Sequence, residues 1–149
     1  MGSSLQTAGD GRPVDRARKE RFDAYRQALE EAGIAVSAEH LVLGDYPLER
    51  GGWGGVQTAR DYMRRLLDQD PELTAVFAAS DLLAAGALQA LYEMGRRVPE
   101  GMSVVGFDDT FAKHLAPPLT TVRQPTFEMG LRAGGLARDS NPRRASPRP

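Results

Sequence analysis

Cysteine is absent from the 149-residue sequence, which excludes disulfide scaffolds, Cys-ligated zinc, iron–sulfur clusters and thiol catalysis. Histidine is nearly as scarce: His40 and His114 are too few for a histidine-rich metal site, and no cofactor or metal is expected. No apolar run approaches the roughly 20 residues that a membrane helix needs. The opening, MGSSLQTAGDGRPVDRARKE, lacks the apolar stretch of an export signal. An excess of one charge sign is missing too: 19 Lys+Arg face 20 Asp+Glu, a formal net charge of −1. That balance argues against a wholly basic nucleic-acid binder, although a local basic patch stays possible. These absences lead us to expect a soluble, cytoplasmic protein with no membrane partner.

What is present is ordinary globular usage, 41% hydrophobic and 26% charged. A chain of this length buries roughly 70% of its unfolded surface when it closes into one core. Both ends differ in composition. Residues 1–13 are Gly/Ser/Thr-rich without apolar periodicity, and residues 138–149, RDSNPRRASPRP, carry four Arg and three Pro. Both are expected to be disordered, leaving one folded unit over 14–137.

Within that unit two periodicities alternate. Phe22, Tyr25, Ala28, Leu29 and Ala32 form one helical stripe over 16–32, stopped by Gly33. His40–Leu43 is a short apolar run, expected as a buried strand. Val56, Ala59, Met63, Leu66 and Leu67 predict a helix over 54–69, ended by Pro71. Thr74–Ala79 predicts a second strand, and Ser80 the N-cap of a helix closed by Gly95. Ser103–Phe107 and Thr120–Arg123 predict two further strands, with a last helix opening at Pro125. The alternation implies an α/β fold, a parallel sheet with helices on both faces.

Open parallel sheets bind ligands at the carboxyl ends of their strands. Three of the expected strands end in acids there: Asp45-Tyr46, Ser80-Asp81 and Asp108-Asp109. A rim of carboxylates can hold Mg²⁺ beside a phosphate. It can equally accept hydrogen bonds from sugar hydroxyls while an aromatic ring stacks on the sugar's apolar face. Tyr46 and Trp53, the latter in the loop Gly51-Gly52-Trp53-Gly54-Gly55, are the nearby aromatics. No phosphate-binding glycine loop and no G-x-S-x-G elbow is present. The residues therefore favour a small polar-ligand binder, not an enzyme, over a Mg²⁺-dependent phosphoryl-transfer or receiver domain.

Three stretches carry a resemblance. They are Ala75-Val76-Phe77-Ala78-Ala79-Ser80-Asp81-Leu82-Leu83-Ala84-Ala85-Gly86-Ala87-Leu88, Ser103-Val104-Val105-Gly106-Phe107-Asp108-Asp109, and Pro117-Pro118-Leu119-Thr120-Thr121-Val122-Arg123-Gln124-Pro125, joined by Gly95 through Pro99. In this order and spacing the chain resembles the effector-binding domain of the lactose-repressor (LacI/GalR) family of bacterial transcription regulators over about residues 14–130. The resemblance implies the C-terminal lobe of a two-lobed periplasmic-binding-protein-like fold, with residues 119–137 crossing toward the other lobe. It implies a sugar-like small-molecule effector and a homo-oligomer. DNA would be met only through a helix-turn-helix absent from this chain, which looks truncated relative to that family. Ligand roles are implied for Arg21, Asp81 and Asp108, with Tyr46 and Trp53 competing for the stacking position. At the Arg21 helix the sequence departs from the family pattern, with Ala24 for Gly and Tyr25 for Phe. A transport-type sugar-binding protein of the same architecture is the alternative. Leu119, Val122, Phe127 and Leu131 are expected to lack a packing surface.

Overall fold

The computed structural model describes residues 16–42 and 53–140. Four α-helices and three strands are present among them: α1 Arg16–Glu31, α2 Trp53–Gln69, β1 Ala75–Phe77, α3 Asp81–Glu93, β2 Ser103–Asp108, β3 Thr120–Arg123 and α4 Thr126–Asp139. The strands pair in parallel in the order β1-β2-β3, with Val76 opposite Val104 and Gly106 opposite Thr121. Such a parallel sheet needs crossovers, and α3 supplies the one between β1 and β2.

Successive strand residues face opposite sides, so register alone divides the sheet into two faces. Val76, Ala78, Val104 and Gly106 share one face. Against it pack α3 and α2, placing Met63, Leu67, Ala84, Leu88, Leu91 and Met102 in one buried cluster with Ala78 and Val104. Phe77, Val105 and Phe107 share the other face, which α1 covers: the Tyr25 and Phe77 rings stack at 5.2 Å between centroids. Val122 sits on this second face too, opposite Phe107, but in β3, beyond the reach of α1, and it is exposed.

The helix ends follow the sequence closely. Ser80 accepts a hydrogen bond from the Leu83 N–H (3.2 Å), satisfying one of the free donors at the start of α3. Gly33 and Gly95 have φ of +74° and +69°. At each, the following N–H reaches back five residues, Ile34 to Leu29 O and Arg96 to Leu91 O, closing the last turn. Helices α2 and α3 approach so closely that a Cβ on Gly86 would collide with Val56 O and the Ala59 side chain. Glu93 at the end of α3 accepts from Arg60 (2.8 Å) and Arg64 (2.7 Å) of α2, locking the pair from the solvent side.

Three expectations need correction. The apolar run at His40–Val42 enters no strand: Ala38–His40 forms a 3₁₀ turn and Leu41 is extended without a ladder partner. Apolar character alone does not pair a strand, and His40 is tied instead to Asp70 at the end of α2 (3.0 Å); Leu43 lies outside the described residues. Trp53 and Gly54 open helix α2 rather than belonging to a loop, the helical backbone beginning ahead of the apolar stripe that starts at Val56. Helix α4 continues to Asp139, past the expected boundary at 137. Residues 1–13 and 141–149 lie outside the described residues.

Candidate functional site

The carboxyl ends of β1, β2 and β3 meet at one rim, built from Ala78–Asp81, Asp108–Ala112 and Arg123–Thr126. The chain leaves β2 through two consecutive non-glycine residues with positive φ, Asp108 at +97° and Asp109 at +55°. L-residues rarely adopt such values; Asp is among the few that tolerate them, and strained backbone of this kind clusters at ligand sites. Asp108 Oδ1 accepts from the Thr110 N–H (3.0 Å), and Asp108 O accepts from the Gln124 N–H beyond β3 (3.4 Å). Asp109 pairs with Arg123 Nε at 2.6 Å. The turn is thus held from inside and from its neighbouring strand.

Beside it lies a hollow of about 280 Å³, walled by Asp108–Lys113 on one side and Arg123, Gln124 and Thr126 on the other. This is near the lower end of small-molecule sites. Carboxylates accept, Lys113 and Arg123 donate, and the Thr110 and Thr126 hydroxyls do either. Such a lining matches a polyhydroxylated molecule, in which every hydroxyl is both donor and acceptor.

Arg21 reaches the same rim from α1. Its Nη1 donates to Ala79 O at the end of β1 (2.6 Å), and its guanidinium lies 4.0 Å from the centroid of the Phe107 ring, one residue before Asp108. Its Nε is buried without a hydrogen-bond partner. A guanidinium stacked on an aromatic face keeps its donor edge aimed and pre-organised.

Of the expected site residues, Asp108 lines the hollow, whereas Arg21 meets the strand ends at Ala79 O and the Phe107 ring and is not among the hollow's lining residues. Tyr46 lies outside the described residues, as does Asp45, and Trp53 is the first residue of α2. Asp81 corrects the expectation of a rim contact. It is 0% exposed, and its carboxylate is spent on protein donors: Oδ2 accepts from the Thr110 N–H (2.9 Å) and the Phe111 N–H (3.4 Å), Oδ1 from the Thr121 hydroxyl (2.6 Å). Sequence reading passed over Lys113, Arg123, Gln124 and Thr126 as site residues. The same strand-end rule that singled out Asp108 points to Arg123, which ends β3, and Gln124, which follows it.

The sequence matches the periplasmic binding protein-like domain family over residues 6–148. It is 44% identical over 121 residues to the HTH-type transcriptional regulator CelR of Thermobifida fusca, covering 80% of this chain and 33% of that protein. To DegA of Bacillus subtilis it is 39% identical over 134 residues, 89% of this chain and 36% of the relative. Among solved structures, a CelR–cellobiose complex superposes with a TM-score of 0.67 at 44% identity, over 76% of this chain and 33% of the other. The chain spans about a third of the length of the curated relatives it matches. Extent of match and identity together place this chain in the periplasmic-binding-protein-like domain family, as part of the effector-binding domain of LacI-type transcriptional regulators.

Proposed function

We propose that the chain binds a sugar-like effector at the carboxyl rim of its sheet, with Asp108 accepting from effector hydroxyls and Arg21 donating to them. The observation that carries this reading is the strained Asp108 turn, held at φ +97° on the wall of a polar hollow. Cellobiose in the complex of a 44% identical relative supports a sugar as the effector class. Tyr46 and Trp53 are the candidates for stacking on the sugar's apolar face. The role is binding rather than catalysis, in keeping with relatives named as transcriptional regulators. In the whole regulator, effector binding would bias the geometry of a homo-oligomer and of DNA-reading heads, a coupling between distinct sites in the cytoplasm. No helix among the described residues is long and apolar enough to cross a membrane.

Among the described residues the hollow is walled by one lobe only, so weak binding is expected, with Kd of about 1 mM, or roughly −4 kcal/mol. Titration calorimetry with cellobiose, lactose, ribose and adenosine tests this. Saturable heat with at least one of them, lost in Asp108→Ala, is the expected result. No heat from any of the four at 20 mM, or heat undiminished in Asp108→Ala, overturns the reading.

A further inference from the structure

Asp81 begins α3, directly after β1, and nothing in the proposed recognition uses it. Its hydrogen bonds nonetheless span the sheet. From the β1 end it reaches over the central strand to the Thr121 hydroxyl of β3, and its second oxygen holds the two backbone N–H groups that follow Asp109. The path over β2 exists because residue 106 is glycine: a Cβ there would stand 2.5 Å from Asp81 Oδ1 and 2.6 Å from Leu119 Cδ2. A fully buried carboxylate is costly unless its lone pairs are matched by donors. Here all three donors lie outside its own helix, two on the turn that presents Asp108 and one on β3. The helix dipole favours an acid at this position, but it does not aim that acid at residues 110, 111 and 121.

We propose that Asp81 is the positioning residue of the effector rim: it converts the relative placement of three strand ends into the conformation of the Asp108–Asp109 turn, without itself meeting the effector. Thr110 N–H makes the mechanism concrete. It is shared between Asp81 Oδ2 and Asp108 Oδ1, so the atom that fixes Asp108's carboxylate is itself fixed by Asp81. Thr121 acts as the anchor that keeps Asp81 aimed, since its hydroxyl at 2.6 Å is the shortest of the three contacts. The effector consequence rests on the function proposed above; the effect on the turn does not.

The test is residue-resolved amide hydrogen exchange on the full chain, which needs no effector. Thr121→Val keeps the shape and removes the hydroxyl. A hydrogen bond to a charged group is worth enough that the Thr110 and Phe111 amides should exchange roughly tenfold faster or more, while Ala90 and Leu91 in the core keep wild-type rates. Thr121→Ser restores the donor and should return both amides to wild-type protection. Asp81→Asn, which offers one acceptor where two were, should likewise loosen residues 110 and 111. With a sugar that binds the wild type, Thr121→Val should weaken affinity about tenfold and Thr121→Ser should not.

Unchanged exchange at 110 and 111 in Thr121→Val overturns the proposal. So does faster exchange spread equally over Ala90 and Leu91, which marks a general structural role, and so does failure of Thr121→Ser to rescue. Should the wild type bind none of the sugars, the proposed function fails while the exchange result still decides the role of Asp81.

Discussion

Asp108 combines two demands on one residue, a backbone at φ +97° and a carboxylate on the wall of the hollow. The first demand would be met better by glycine, which has no Cβ to clash at positive φ. The second only a carboxylate meets. Asp108→Gly relieves strain of about 1 kcal/mol or more and forfeits the Thr110 N–H bond, worth a similar amount. We therefore expect its stability in urea unfolding to lie within about 1 kcal/mol of wild type, with effector heat abolished in calorimetry. A large loss of stability would show that this side chain serves the fold and not the site. Asp81 presents the opposite case. In sequence it looks like a rim acid equivalent to Asp108. Only the gap over Gly106 and the register that sets Thr121 beside it turn its carboxylate inward.

At the scale of elements, α2 and α3 form the tightest pairing, and it depends on a missing side chain at one end and a shared carboxylate at the other. Gly86→Ala forces the helices apart against Val56 O and Ala59, and overpacking of this kind costs about 1–3 kcal/mol; a lowered urea midpoint with an unchanged slope is expected. Hydrogen bonding from Arg60, chiefly, with the charges of Arg60 and Arg64, holds the Glu93 carboxyl below the usual glutamate range. A depressed acid stabilises the fold fully above its unfolded value and loses that contribution as pH falls through its folded value. The Tm difference between wild type and Glu93→Gln should therefore be constant near neutrality and shrink as the pH drops through and below the glutamate range. A difference that does not change with pH would mean that the carboxylate's charge is not what joins these helices. The helices themselves were legible from periodicity, including the capping role of Ser80 and the stops at Gly33 and Gly95. The strand expected at His40–Leu43 does not form over its described residues, His40–Val42, because an apolar run states only that residues avoid water, and pairing requires a neighbour in register.

For the whole molecule the division is between a packed layer and an unpacked helix. Leu91 is 0% exposed, whereas Phe127 on α4 is 76% exposed, and Met129, Leu131 and Leu136 are exposed with it. Leu119 departs from the expectation of lost packing: it lies partly buried against the core, because Leu119 N–H bonds to Ala112 O just before β3 turns into the sheet. The contrast predicts that Leu91→Ala costs about 2–5 kcal/mol in chemical denaturation. Phe127→Ala, larger in the volume removed, should change stability by no more than about 0.5 kcal/mol. Equal effects would mean that α4 is packed in solution.

The four helices, the three strands that form and the α/β class with its parallel sheet were determined by the sequence alone. Those properties arise from neighbours three, four or two residues apart, and such spacings are written directly in the chain. The tertiary structure decided which acids line the hollow and which are buried against the protein, that Arg21 stacks on Phe107, and that Arg123 and Lys113 share a hollow with Asp108. Each of these joins side chains brought together by strand register and by a glycine that leaves room to pass, and no local pattern encodes that distance.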